Sequence, residues 1–374
     1  MYICCRYFFN DLFMPVTKKK PLFTKLLMDW YDPDVRPMPW KSEKNPYLVW
    51  LSEIILQQTR VEQGLPYYYR FIRKYPTIEA LANAPEDELM KLWEGLGYYS
   101  RARNLHLSAK FIANDLKGEF PSTYAAILNL KGVGPYTASA VASFAFGLPH
   151  AVVDGNVYRV LSRVFGIDSA VDTSLGKKKI DSLAHELLDK EIPGEYNQAI
   201  IDFGAIQCKP KLPDCKNCPL KNHCFAFTND QVGFFPVKSK KIKRKTRFFN
   251  YLVLNNNDQV LIKKRTQKDI WQNLYEFPFI ESDSLATLKS IYKHSFFKAL
   301  SGNNFQLLRF SKPFVQNLTH QKIISRFLEL EVENIVFDKK DFYKVVSRKE
   351  LEKFAFSKNI DWYLKDKSLY LDIG

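Results

Sequence analysis

The sequence lacks any apolar run of the ~18 residues that a membrane-spanning helix needs. Its opening segment, Met1–Met14, is aromatic, but charged and polar side chains interrupt it and no small-residue cleavage site follows. We therefore expect neither a signal peptide nor an anchor, and a cytoplasmic protein without membrane contact. Because Met14 opens a more basic segment, residues 1–13 are a candidate for a misassigned start.

Acidic residues are scarce relative to basic ones, with 40 Asp and Glu against 55 Lys and Arg, so the net charge is +15. This surplus favours a polyanionic partner, although it does not indicate a fold. Hydrophobic residues make up 46% and charged residues 25%, which excludes a mostly disordered chain. At about 150 residues per domain, the length of 374 residues predicts two or three domains.

Changes in composition divide the chain. We predict an N-terminal extension over residues 1–20, an all-α domain over 21–228, a basic linker over 229–247 and an α+β module over 248–374. The segment KSKKIKRKTR (238–247) holds seven Lys or Arg and no acid. It is typical of an exposed linker that either only connects the domains or also contacts phosphate.

Helix caps and helical spacing carry the all-α prediction. Asn45 and Pro46 are a cap and a first helical residue, and apolar residues follow them at helical spacing. Further boundaries are predicted at Ser122 (a start), Gly147 (an end) and Asp154 (just before a helix over 156–165).

Short β-branched and aromatic runs predict the α+β module. The segment YLVLNNNDQVLIKKR (251–265) is typical of two strands around an Asn-rich turn. LYEFPFI (274–280) and residues 323–332 predict further strands. A helix is predicted over residues 347–358, with Ser347 as its cap and Glu350 at the capping-box position.

Four of the six cysteines follow a C-x6-C-x2-C-x5-C pattern: Cys208, Cys215, Cys218 and Cys224. Their clustering favours a metal site in a reduced compartment over a disulfide framework. Four thiolates suit an iron–sulfur cluster or a structural zinc, and the single C-x2-C pair favours iron–sulfur only modestly. Cys4 and Cys5 are expected to be incidental.

This cysteine spacing, placed after a helical domain, resembles the endonuclease III superfamily of DNA glycosylases. The resemblance implies a structural 4Fe–4S cluster in a loop over residues 205–228, and double-stranded DNA as the partner. Four lysines on this loop suit contact with phosphates: Lys209, Lys211, Lys216 and Lys221.

The segment LKGVGPYTASA (130–140) resembles the helix-hairpin-helix motif of this superfamily. Gly132 and Gly134 permit a tight turn, and the next helix presents free N–H groups to a backbone phosphate, although an ordinary helix connection is the alternative. Asp154, taken alone, is a helix N-cap. The resemblance implies in addition that Asp154 is the essential aspartate and that Asn156 supports it.

Two segments, WLSEIILQQTRVEQ (50–63) and WEGLGYYSRARNLH (93–106), resemble the MutY family of adenine DNA glycosylases, and the resemblance covers nearly the whole chain from about residue 21. It implies excision of adenine paired with 8-oxoguanine or G, with Glu53 as the general acid rather than a surface carboxylate. Bifunctional relatives carry lysine where this chain has Tyr136, and a phenol cannot form their Schiff base. A monofunctional enzyme, with Tyr136 near Asp154, is therefore implied.

The target base must leave the helix stack before the reaction. By resemblance, Gln58 and Tyr98 are wedges at the vacated position, with Thr59 and Leu96 beside them; core packing is the alternative for Tyr98. Lys41 stands where the family commonly has Arg, so the planar bidentate fork is lost there.

The C-terminal module resembles the family's Nudix-like domain, with LYEFPFI as its Trp-Glu-Phe-Pro-like strand. The catalytic Arg-Glu and Glu-Glu pairs of Nudix hydrolases are absent downstream, so we predict recognition of 8-oxoguanine and not hydrolysis. Leu318, Thr319 and His320 align with a Phe-Ser-His loop that contacts the oxidised base. Thr319 keeps the hydroxyl and Leu318 loses the aromatic ring, and an ordinary surface loop is the alternative.

Two other classes compete with a monomeric adenine glycosylase acting at the nucleoid. A bifunctional pyrimidine glycosylase-lyase is disfavoured by Tyr136 and by the long C-terminal module. A non-catalytic DNA-binding protein with a metal-stapled loop is disfavoured because Glu53 and Asp154 are both present.

Overall fold

The computed structural model describes residues 16–239, 244–301, 304–335, 337, 342–365 and 370–371. The chain forms two compact units, each made from two separate stretches. The first unit takes in residues up to 58 together with 108–240, and the second takes in 59–107 together with residues from 241 onward. No helix in the described ranges is long and apolar enough to cross a membrane.

Between residues 16 and 239 the described chain contains helices and no strands, as predicted. The α-helices are α1 (Val16–Trp30), α2 (Pro46–Leu56), α3 (Val61–Lys74), α4 (Ile78–Ala82), α5 (Glu86–Trp93), α6 (Ser100–Asn114), α7 (Tyr124–Leu128), α8 (Pro135–Phe146), α9 (Gly155–Phe165), α10 (Ser174–Leu187), α11 (Pro193–Ile206) and α12 (Phe225–Thr228).

Most of the predicted helix ends are confirmed. Asn45 caps α2, its side chain accepting a hydrogen bond from the Tyr47 backbone N–H at 3.0 Å. Gly147 ends α8 in the left-handed conformation that favours glycine, with φ of 65°. The predicted cap at Ser122 is wrong by one residue, because the Thr123 hydroxyl accepts from the Ala126 N–H and α7 follows it.

One core of the first unit lies among α1, α9, α10 and α11, where the apolar faces of these helices meet. Its fully buried members include Leu27, Val160, Leu161, Ile180 and Ala199. Helix α2 is apolar on almost every side, with Trp50, Leu51 and Ile55 at zero exposure. A helix of this composition must be buried, and this burial places its one carboxylate, Glu53, in the interior.

The second unit contains the sheet of the chain, with α13 (Leu288–Lys293), α14 (Ser295–Ser301) and α15 (Lys358–Lys365) in the same C-terminal stretch. The described strands are β1 (Lys245–Asn256), β2 (Gln259–Lys264), β3 (Tyr275–Glu276), β4 (Phe279–Ser282), β5 (Phe305–Ser311), β6 (Phe314–Asn317), β7 (Gln321–Val332), β8 (Tyr343–Ser347) and β9 (Tyr370–Leu371).

The long strands β1 and β7 are the centre of this sheet. They pair in parallel, from Lys245 with Gln321 to Asn255 with Glu331. The main strand order is β3-β2-β1-β7-β5-β9, while β4 pairs with β1, β6 with β7 and β8 with β2. The predicted α+β class of the C-terminal module is confirmed, and so is the turn between β1 and β2.

Three predicted features differ in detail. Strand β1 begins at Lys245, inside the predicted linker, and the backbone N–H of Ser239 bonds to Asp172; residues 240–243 lie outside the described ranges. LYEFPFI forms two short strands because Pro278, which lacks an N–H, separates them. The capping box at Ser347 is present, but it opens a 3-10 helix over Arg348–Lys353.

Candidate active site

Glu53 is a buried carboxyl group on α2. Its neighbours in the helix, Ile54 and Ile55, are also buried, and Glu53 itself is 7% exposed. The pKa of Glu53 is raised to about 7: burial is the main cause, a hydrogen bond from Tyr136 acts in the opposite direction, and the negative charge of Asp154 adds to the rise. A carboxyl group in this setting is partly protonated near neutral pH and can donate a proton.

Asp154 caps α9, as expected from its position. Its Oδ1 accepts hydrogen bonds from the backbone N–H groups of Asn156 and Val157, both at 2.8 Å, and its Oδ2 accepts from Asn156 Nδ2 at 2.7 Å. Burial raises the pKa of Asp154, whereas these three donors lower it by stabilising the charged form. The N-cap interpretation and the active-site interpretation are therefore compatible.

Glu53, Tyr136 and Asp154 line one cavity of about 460 Å³ in the first unit. Tyr136 lies in the first turn of α8, and its pKa is well above the usual range because it is buried beside the negative charges of Glu53 and Asp154. Gln58 and Gly134 line the same cavity. The first-unit residues expected to act together thus lie together.

The two hairpin glycines differ in their conformations. Gly132 has φ of 78°, which requires glycine in practice, but Gly134 has φ of −100°, which any residue adopts. A Cβ added at Gly134 would meet no atom within 4 Å. Gly134 is therefore dispensable for the turn itself, and its absent side chain leaves the approach to the N-terminus of α8 open.

A chain of hydrogen bonds runs from Asp154 to a cysteine, and only its first link was expected. Asn156 Oδ1 accepts from Arg159 Nη2 at 2.8 Å, and Arg159 Nε donates to the backbone oxygen of Cys208, also at 2.8 Å. The i to i+3 spacing of Asn156 and Arg159 on one helix was the available sequence signal. The contact with Cys208 lies far along the chain and had none.

The four cysteines line one small cavity, next to the apolar side chains of Val164, Phe203 and Leu220. Burial raises the pKa of Cys218 to about 12, and burial also raises the pKa values of Cys215 and Cys224. Arg163 Nη1 donates to Cys208 Sγ at 3.4 Å. Within the described ranges, no group of three or more His, Cys, Asp or Glu is arranged to hold a metal ion. The shared cavity and the all-sulfur donor set fit a cluster held by thiolates at its corners.

A second cavity, of about 470 Å³, lies within the second unit. Leu96, Tyr98, Thr319 and His320 line it together, and the hydroxyl groups of Tyr98 and Thr319 hydrogen-bond to each other. Tyr98 is 47% exposed, so core packing does not describe it, whereas the neighbouring Tyr99 is 7% exposed and does belong to the interior.

The two remaining positions singled out from the sequence have structural partners. The hydroxyl oxygen of Thr59 accepts a hydrogen bond from Arg101 Nη2 at 3.1 Å within the second unit. Lys41 Nζ lies 2.6 Å from Asp202 Oδ2, a carboxylate that it shares with Arg36, and donates to two backbone oxygens inside the first unit. The substitution of Lys for Arg at this position therefore acts on an internal ion pair.

Comparisons with known proteins identify the class of each part of the chain. Residues 51–188 match the model of the HhH-GPD superfamily of base excision DNA repair proteins, and residues 250–366 match the NUDIX domain. The solved structure of a thermostable thymine-DNA glycosylase is 32% identical, with a TM-score of 0.53, over 57% of this chain and 98% of its own. An endonuclease III–DNA complex is 25% identical, with a TM-score of 0.51, over 58% and 99%.

The helical unit, its hairpin and its paired carboxylates therefore define a helix-hairpin-helix DNA glycosylase. The adenine DNA glycosylase of Buchnera aphidicola subsp. Baizongia pistaciae is 38% identical over 274 residues, which is 71% of this chain and 76% of the relative. The adenine DNA glycosylase of Homo sapiens is 41% identical over 213 residues, which is 54% of this chain and 39% of the relative. The chain belongs to the adenine DNA glycosylase family, whose members act in base excision repair.

Proposed function

We propose that this enzyme excises adenine opposite 8-oxoguanine or G in double-stranded DNA, as a monomer and without strand cleavage. The observation that supports it most is the pair of buried carboxyl groups, Glu53 and Asp154, in one cavity beside Tyr136. Because the glycosidic bond of a stacked base is out of reach of these groups, the adenine must be flipped into the cavity.

Glu53 is the general acid in this proposal. Adenine leaves poorly as an anion, so a proton delivered to its N7 lets it leave as a neutral base. The raised pKa of Glu53, about 7, keeps a proton available near neutral pH, and the Tyr136 hydroxyl orients the carboxyl group. After the base has left, the Glu53 carboxylate can accept a proton from the attacking water.

Asp154 is the partner carboxylate. Bond cleavage builds positive charge on the deoxyribose, and an ionised Asp154 stabilises it or bonds transiently to C1′. The three hydrogen bonds from Asn156 and Val157 hold the carboxylate in one orientation and favour its charged form. The two acids thus have different environments and different roles, as in two-carboxylate glycoside hydrolysis.

Strand cleavage by this family's bifunctional relatives requires an amine that forms a Schiff base. In this chain the corresponding side chain is Tyr136, whose phenol is buried and bonded to Glu53. We infer that the abasic product is released uncut.

The second unit is the proposed reader of 8-oxoguanine. Tyr98, the expected wedge, is bonded to Thr319, in the loop expected to contact the oxidised base, and the two line one cavity. Glu276, in the segment that resembles a Nudix strand, is buried and bonded to Arg265 at 2.6 Å. A carboxylate engaged in this way is not a free ligand for Mg²⁺, which supports recognition over hydrolysis.

We also propose that Cys208, Cys215, Cys218 and Cys224 hold a 4Fe–4S cluster. All four cysteines line one cavity, and Arg163 donates to the sulfur of Cys208. The cluster's role in this proposal is structural, and it shapes the lysine-rich loop that contacts phosphates. Because its proposed substrate is DNA, we expect the enzyme to act at the nucleoid.

The test uses a duplex labelled on the adenine strand, with A opposite 8-oxoguanine, G or T. We expect strand breaks only after alkali treatment. Excision of adenine should be fastest opposite 8-oxoguanine, slower opposite G and absent opposite T. Trapping with borohydride should yield no covalent product. Breaks without alkali, or equal excision opposite T, would overturn the proposal.

A further inference from the structure

An ion-pair cluster adjoins the second cavity in the second unit. Arg247, on β1, donates from Nη1 to Asp269 Oδ1 at 2.9 Å and from Nε to Glu281 Oε1 at 2.7 Å. Arg265 donates from Nη2 to Asp269 Oδ2 at 2.9 Å and from Nη1 to Glu276. Asp269 is therefore held between two arginines.

Asp269 begins a three-residue segment, 269–271, that forms one wall of the second cavity. The consecutive residues Asp269, Ile270 and Trp271 line the cavity together with Tyr98 and Thr319. Trp271 has φ of 59°, a left-handed conformation that is strained for a residue with a side chain and persists only where the surroundings enforce it. Arg265 Nε donates to the backbone oxygen of Ile270 at 3.1 Å, so the arginines fix the backbone as well as the carboxylate.

Arg247 also contacts Gln321, a second residue of the cavity lining. Its Nη1 donates to Gln321 Oε1 at 3.3 Å, and Gln321 directly follows the loop that carries Thr319 and His320. Lys245 on β1 is paired with Gln321 on β7. The backbone N–H of Lys245 also donates to the His320 backbone oxygen at 3.0 Å, and this bond anchors the loop to β1. One guanidinium group thus contacts both the wall and the strand that begins at the end of the loop.

An arginine suits this position and a lysine would not. The planar guanidinium carries five donors in a fixed arrangement, and here they reach Glu281, Asp269 and Gln321 at once. The ammonium group of lysine has three donors on a flexible chain, so it could bond to some of these partners but would not hold them in a fixed planar arrangement.

We propose that Arg247 is a positioning residue for recognition of the base opposite the target adenine: by bonding to Asp269 and Gln321 it holds in place the wall segment that includes Trp271 and the strand that follows Thr319, in the cavity that Tyr98 also lines. It acts through these residues and does not touch the base. The inference rests on the proposed function of the second unit in reading 8-oxoguanine.

The test compares Arg247→Met and Arg247→Lys with a matched control, Arg348→Met, in the full-length protein. Arg348 is also on the second unit and is bonded to Glu329 and Asn255, but it does not line the cavity. Single-turnover excision rates and binding to a duplex with an uncleavable adenine analogue are measured opposite 8-oxoguanine and opposite G.

We expect Arg247→Met to lower the preference for 8-oxoguanine over G by about tenfold, because a small misplacement of contacting groups is costly, while the rate opposite G changes little. Arg247→Lys should fall between Arg247→Met and the wild type, and Arg348→Met should keep the wild-type preference. An unchanged preference in Arg247→Met, or an equal loss opposite both bases, overturns the inference.

Misfolding of the variant and failure of the proposed function can each be distinguished from failure of this inference. If Arg247→Met does not fold, Gln321→Leu removes the link beside the loop, at a residue that also lines the cavity, and should still reduce the preference; an unchanged preference in that variant also overturns the inference. If the wild-type enzyme itself shows no preference for 8-oxoguanine, the proposed function fails, and this inference fails with it.

Discussion

The hydroxyl groups of Tyr98 and Thr319 hydrogen-bond to each other although the residues are 221 positions apart in the chain. One comes from the helical stretch 59–107 and the other from the sheet, and both belong to the second unit. The residue expected to fill the gap left by the flipped base is therefore directly bonded to the residue expected to read the base opposite.

This bond predicts that the two hydroxyls act as a pair. Tyr98→Phe and Thr319→Val should each reduce the preference for A:8-oxoguanine over A:G by about fivefold, since a net hydrogen bond is worth about 1 kcal/mol. The double variant should be no worse than either single one, because both remove the same bond. Single-turnover rates provide the measurement, with the exposed Tyr69→Phe as the control. Fully additive losses would contradict the pairing.

The two carboxylates predict a separation of chemistry from binding. Glu53→Gln and Asp154→Asn should each lower the excision rate by at least about a thousandfold, a loss comparable to those seen when acid–base and nucleophilic groups are removed. Binding to the A:8-oxoguanine duplex should persist, because DNA contacts elsewhere are untouched. Glu62→Gln, on the exposed surface of α3, is the matched control. Wild-type rates in either variant would refute its assigned role.

The pKa of Glu53 predicts the pH dependence of excision. Since the acid form is needed, the single-turnover rate should fall as the pH rises through about 7, the value to which burial raises this pKa. In the control enzyme Glu62→Gln the same profile is expected. A flat profile up to pH 9, with DNA binding intact, would mean that Glu53 is not the proton donor.

The same pKa predicts an effect on stability. A carboxyl group whose pKa is higher in the folded state than in the unfolded chain binds its proton more tightly when folded, so stability falls as pH rises from about 4.5 to about 7 and then levels off. The lost stability is on the order of 3 kcal/mol at one pKa unit per 1.36 kcal/mol. Glu53→Gln should therefore melt at a higher temperature than wild type at pH 8, and this difference should shrink at pH 5. An equal difference at both pH values would contradict a buried charge.

The cavity lined by the four cysteines predicts that substituting one of them will lower both the iron content and the stability of the protein. Cys218→Ser removes a proposed cluster ligand that packs against the core of the first unit, so the purified protein should lose most of the iron and visible absorbance expected of the wild type and unfold at lower temperature. The neighbouring exposed Lys216→Ser should retain both iron and melting temperature. Zinc in place of iron, by metal analysis of anaerobically purified wild type, would refute the proposed cluster.

Local signals in the sequence predicted the parts of the site that are local in space. Asn45, Pro46 and Asp154 mark helix starts by caps that act within three residues, so the helices that carry Glu53 and Asn156 could be placed from sequence. Resemblance to the family assigned roles to these positions, which the caps alone could not do. The strands around the Asn-rich turn were predictable for the same local reason.

Contacts between distant parts of the chain were not predictable. Lys41 pairs with Asp202, and nothing near Lys41 in the sequence indicates that partner. The link between Arg159 and Cys208, and the division of the chain into discontinuous units, depend in the same way on tertiary packing. The lengths of individual strands were also hard to predict from the sequence. Pro278, for example, splits one predicted strand into two short ones.

The stretch 59–107 belongs with the C-terminal sheet and not with the helices that flank it in the sequence. Asp87 on α5 pairs with Lys264 on β2 at 2.7 Å, and Tyr275 donates to the same carboxylate. A chimera that exchanged only residues after 247 with those of a relative would therefore combine mismatched halves of one folding unit. If the second unit reads the opposite base as proposed, we expect that transferring base preference between family members will require grafting both stretches together.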